Sequence, residues 1–106
     1  MVSLDEIQEE IQDMTAFYIS LPSKVVSDGD KTYAALAKTA SEQILDLITK
    51  YQNKPQNKIL KQLHANVMTL TRGVEYFDDD STERQHRAHG QLRLRLFEWL
   101  ESNIKW

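Results

Sequence analysis

Apolar residues recur at spacings of three and four along almost the whole chain, the period of a helix that buries one face. The first run is Leu4, Ile7, Ile11, Met14, Tyr18 and Leu21, with Phe17 widening the stripe. Ser3 and Glu6 precede and open it, a spacing at which the two side chains satisfy each other's unpaired backbone donors. Pro22, which has no N–H to donate, ends the run, so a first helix is predicted over 3–21. Ser23 to Asp30 reads as a loop, with Asp28 or Asp30 placed to cap the next helix.

A second helix is predicted over 31–52, with Tyr33, Ala37, Ala40, Ile44, Leu47 and Tyr51 as its seam, flanked by Ala34, Leu36 and Ile48. Alanines near its start imply close approach to a neighbour that supplies the bulk. Pro55 suits the first turn of a third helix over 55–78. That helix carries Leu60, Leu63, Val67, Leu70, Val74 and Phe77, with Ile59 beside them. A fourth, over 81–105, starts behind Asp80 or Ser81, where Glu83 can complete a capping box from Asp80. It continues through Leu92, Leu96, Phe97, Trp99, Leu100 and Ile104. Short connections between long helices make neighbours antiparallel. The expected fold is therefore all-α, a single antiparallel up-down-up-down four-helix bundle over 1–106.

Composition narrows the function classes. The 106 residues suit one domain. With 13 Lys+Arg against 16 Asp+Glu the net charge is −3, which argues against a dedicated nucleic-acid partner. The absence of cysteine excludes disulfides, thiolate nucleophiles and Cys-ligated zinc. Met1 to Glu10 is acidic and amphipathic, unlike a secretory signal, and no stretch nears the ~20 apolar residues of a membrane span. A cytoplasmic protein with at most peripheral membrane contact is expected.

Candidate chemistry centres on histidine. Glu83 and His86 form a Glu-x-x-His pair of the kind that donates ligands to di-iron bundles, but those sites need a second such pair and two further carboxylates. The other helices carry Ile, Leu and Val at inward positions, so no metal and no cofactor is expected. His86 and His89 are expected on an exposed first turn, and His64 at the edge of the third helix's core stripe. The Asp78 to Asp80 run lacks the alternating ligands, turn glycine and closing Glu of a calcium loop. No glycine-rich phosphate loop and no nucleophile elbow occurs.

One motif carries a sharper alternative. Arg84 and His89, five apart, resemble the Arg-x4-6-His signature of the HEPN ribonucleases. In that family a dimer brings two such motifs together on an RNA phosphodiester. Histidine moves protons near neutral pH, and arginine stabilises the charge of a phosphorane. Gln85 stands where the family usually has Asn or Asp, and the aromatic shortly after the histidine is missing. A solvated basic turn is the plainer reading of the same residues.

Charge and apolar area point instead to an interaction surface. Residues 1–20 hold Asp5, Glu6, Glu9, Glu10 and Asp13 with no Lys or Arg. Residues 81–106 hold Arg84, Arg87, Arg93, Arg95 and Lys105 against Glu83, Glu98 and Glu101. Part of this asymmetry is explained if the first and last helices are neighbours. The last helix is also too apolar for one buried stripe: Leu92 and Leu96 share a face, so Leu94 points elsewhere. Arg87, Leu94, Arg95, Trp99 and Trp106 form the candidate partner-binding set, for another protein or peptide or for a second copy of this chain.

The helix Tyr33 to Tyr51, the Asn53-Lys54-Pro55 break, and the stretch Asn57 to Leu63 continuing through Val67 to Leu70 resemble the bacteriocin immunity proteins of Gram-positive bacteria in helix length and apolar spacing. The resemblance implies a non-enzymatic protein that protects a producing cell from its own pore-forming peptide. It would bind the peptide–receptor complex from the cytoplasmic side, with the C-terminal half choosing the peptide.

Overall fold

Each apolar stripe ends up facing another. In the computed structural model, which describes residues 4–71 and 80–106, all regular structure is helical. A 3-10 turn, Asp5–Ile7, leads into α1, Gln8–Ser20, and a second 3-10 turn, Leu21–Ser23, takes Pro22 through the corner. Next come α2, Asp28–Asn53, and α3, Asn57–Thr71. The final segment is divided into α4, Asp80–Ala88, and α5, Gly90–Asn103. The described residues thus form five α-helices, with the predicted fourth helix interrupted at His89 (φ −98°, ψ 7°).

Other boundaries differ from expectation as well, with α1 itself beginning only at Gln8 behind its 3-10 turn. Helix α2 begins three residues early because Ser27, not an aspartate, is the cap: its Oγ accepts the Asp30 N–H at 3.2 Å. Asp28 and Asp30 then lie in the first turn, where negative charge complements the helix dipole. Helix α3 begins at Asn57, leaving Pro55 in the connection. Ser3, Val74, Phe77, Asp78 and Asp79 lie outside the described residues, as does the side chain of Asp80 with its expected cap.

The core follows the predicted seams. Leu4, Ile7, Ile11, Met14, Tyr18 and Leu21 are all buried, against Tyr33, Ala37, Ala40, Ile44 and Leu47 from α2. Leu60, Leu63, Val67 and Leu70 of α3 close one side, and Leu92, Leu96, Trp99 and Leu100 of α5 the other. Leu36, expected beside the α2 seam, is exposed, and Tyr51 is half-buried. Polar contacts fix which ends meet. Gln52 Nε2 donates to Gln8 Oε1 at 3.3 Å, setting the start of α1 beside the end of α2. Tyr33 Oη donates to the Leu70 carbonyl at 3.2 Å, setting the start of α2 beside the end of α3. Asn57, opening α3, bonds Lys105 just past α5 in both directions: its amide donates to the carbonyl at 2.8 Å and its oxygen accepts the N–H at 2.7 Å.

Candidate functional site

The break at His89 places two polar side chains of the last segment inside the molecule. The Arg93 N–H bonds the His89 carbonyl at 3.0 Å, so α5 starts at once, and the Arg93 side chain turns inward. Arg93 is 7% exposed and His86 5% exposed. This corrects the expectation that His86 is a surface residue of an exposed first turn. Arg93 Nη1 donates to the Tyr18 hydroxyl at 2.6 Å and to the His86 carbonyl at 2.8 Å. The His86 ring lies with Nδ1 2.8 Å from Tyr18 Oη and 3.0 Å from Tyr33 Oη. Side chains from α1, α2, α4 and α5, together with the α3 carbonyl of Leu70, therefore meet at one buried point.

Proton placement is set by the donors. Arg93 only donates, so Tyr18 accepts from it and keeps its own proton for another partner. Tyr33 directs its proton to Leu70. The imidazole is neutral, because burial foremost, and then the charge of Arg93 with His89 and Arg87, lowers its pKa to about 3. Burial likewise raises the Tyr18 and Tyr33 hydroxyls, so both stay protonated despite the neighbouring guanidinium. With the Arg93 and Leu70 bonds fixed, Nδ1 accepts the Tyr18 proton, and the Tyr33 oxygen packs 3.0 Å from the same nitrogen, so the ring ties α1, α2 and α4 together.

The residues of the ribonuclease-like motif are arranged differently from that cluster. Arg84 is exposed on α4. His89 is half-buried, its ring centroid 5.1 Å from Phe17 and 6.0 Å from Tyr18. Burial and then Arg93 lower the His89 pKa, and Asp13 opposes them. His89 lines a cleft of about 270 Å³ with Glu10, Asp13, Gln91 and Arg95, and Arg84 is not among the lining residues. Glu83 and His86 do not converge either, since Glu83 pairs with Arg87 one turn on.

The expected partner-binding residues separate into two groups. Trp99 belongs to the core, packed edge-to-face on Tyr51 at 5.9 Å, and this corrects its place in the surface set. Arg95 is half-buried and bonded to Glu10 at 2.7 Å, so part of the charge asymmetry is internal. Arg87 is exposed, Leu94 is 51% exposed and Trp106 is 70% exposed. Trp106 is nonetheless held: its ring stands edge-on to His64 at 5.2 Å, and Asn57 clasps the backbone of the preceding residue. His64 Nε2 is 2.7 Å from Glu101 Oε1, and the ring also meets Phe97 at 5.2 Å.

Sequence reasoning missed Arg93 as a buried group, although a signal was there. Arg93 lies three residues before Leu96 and seven before Leu100, on the stripe that those residues define. Comparison with protein-family models, with curated proteins and with solved structures returned no match.

Proposed function

We propose that the chain is a non-enzymatic protein-binding domain of the immunity or inhibitor type. In this reading α4 and α5 act together as the last limb of an antiparallel up-down-up-down four-helix bundle. The buried Tyr18–His86–Tyr33–Arg93 cluster is scaffold, and the docking surface is the exposed part of the last segment: Arg87, Leu94 and Trp106. The observation that carries the reading is Trp106, a large aromatic fixed in position yet 70% exposed. Pre-ordered, uncovered aromatics are the residues that most often anchor a protein interface, because little side-chain entropy remains to be lost. The partner is another protein or peptide, and the resemblance to the immunity proteins makes a bacteriocin–receptor complex on the cytoplasmic side the specific form. Among the described residues no helix is long and apolar enough to cross a membrane.

A producer-cell challenge tests this. Cells carrying Leu94→Glu or Trp106→Ala are expected to be at least roughly tenfold more sensitive to the peptide, the loss typical of an interface anchor. Thermal melts of the two variants should match wild type to within about 0.5 kcal/mol, as for other exposed positions. Full protection by both variants overturns the reading.

A further inference from the structure

Helices α2 and α3 meet at a corner whose surface is strongly one-sided in charge. A cleft of about 440 Å³ there is lined by Lys50, Lys54 and Lys58, by the amides of Asn53, Gln56 and Gln62, and by Ile59. No carboxylate lines it. Lys50 is tied to Asp46 at 2.9 Å, whereas Lys54 and Lys58 have no ion-pair partner among the described residues. The amides both donate and accept hydrogen bonds, and Ile59 gives the cleft an apolar floor.

The chain itself carries the complementary surface close by. Its first 20 residues hold five carboxylates and no Lys or Arg. Asp5 and Glu9 are exposed and have no ion-pair partner among the described residues. The Gln52–Gln8 hydrogen bond sets this acidic stretch beside the last turn of α2, while the lysine cleft begins on the side of the same turn that faces α3. Acidic and basic surfaces thus flank one helix end, within a molecule 39 Å long. A two-fold axis through that helix end is the symmetry that would set each acidic stretch against the other's lysine cleft. Both contacts form at once, which closes the assembly at two copies.

We infer that the end of α2 is a self-association surface whose occupant is a second copy of this chain, with Asp5 and Glu9 of one copy set against Lys54 and Lys58 of the other. The inference does not depend on the proposed function. Attraction between exposed charges is weak and screened by salt, so the dimer forms at high protein concentration and low ionic strength and dissociates as salt is added.

Sedimentation equilibrium with charge reversals tests this. Wild type is expected to approach a dimer at millimolar concentration in low salt and to return to monomer in molar salt. Lys54→Glu with Lys58→Glu, or Asp5→Lys with Glu9→Lys, should each weaken association at least roughly tenfold. A variant carrying all four reversals restores both contacts with the signs exchanged and should associate like wild type. A wild type that stays monomeric in low salt overturns the inference, as does association unchanged in either double variant. A four-reversal variant that folds, as judged by circular dichroism, yet remains monomeric also overturns it.

Discussion

At the scale of single residues, the distinctive feature is a guanidinium buried beside two phenols and an imidazole. A buried charge costs several kcal/mol of lost hydration unless dipoles replace the water. Here the Tyr18 hydroxyl and the His86 carbonyl supply part of that replacement. The charge of Arg93 in turn helps keep His86 neutral. This coupling has a pH signature. The His86 pKa lies at about 3 in the folded protein, against 6.5 when unperturbed, so between those values the unfolded chain binds the proton and the folded one does not. The stabilisation is complete above pH 6.5 and is lost as pH falls towards 3, and His89, also lowered, acts in the same direction. Urea denaturation at pH 7 and at pH 4 should differ by a few kcal/mol, given about 1.4 kcal/mol per pK unit. The difference should shrink in His86→Phe.

At the scale of elements, the seams were legible in the sequence and the interruption at His89 was not. Ile11, Met14, Tyr18, Ile44, Leu63, Val67 and Leu96 are buried as their spacing requires, because burial of a helical stripe is a property of the stripe alone. The break depends on what the neighbours leave room for, and that is not written locally. Gly90 is the one local hint, and its backbone is not in the left-handed region that would require glycine. A Cβ at position 90 would meet Arg93 Nη2 at 3.7 Å, an ordinary contact. Gly90→Ala should therefore stabilise the protein by about 0.5–1 kcal/mol, the usual gain of alanine over glycine in a helix. A rise in melting temperature checks it.

The candidate site was only partly legible for a related reason. Tyr18 and Tyr33 are recognisable as seam residues, each with a hydroxyl that must find a partner inside. Arg93 lies on the core stripe by spacing, but its charge marks it as a surface group. His86, seven residues before it, has acidic and basic neighbours that suggest a solvated turn. Trp99 and Trp106 carry the same side chain seven residues apart, and only packing separates the one against Tyr51 from the one left exposed. Composition identifies which groups need partners. The tertiary structure decides which partners they obtain.

At the scale of the whole molecule, the buried cluster joins residues far apart along the chain. Its bonds link Tyr18 to His86, Tyr33 to His86, Tyr33 to Leu70 and Arg93 to Tyr18, across 68, 53, 37 and 75 positions. The two bonds to Tyr18 cannot form until most of the chain has been gathered, and the entropy of closing such loops is lost first. The cluster is therefore expected to assemble after the main folding barrier, so that its contribution appears in the rate of escape from the native state. Tyr33→Phe should accelerate unfolding several-fold in stopped-flow measurements and leave the refolding limb nearly unchanged. The polar knot at the α4–α5 break then acts as a latch on the finished fold, setting how long a molecule stays native once formed.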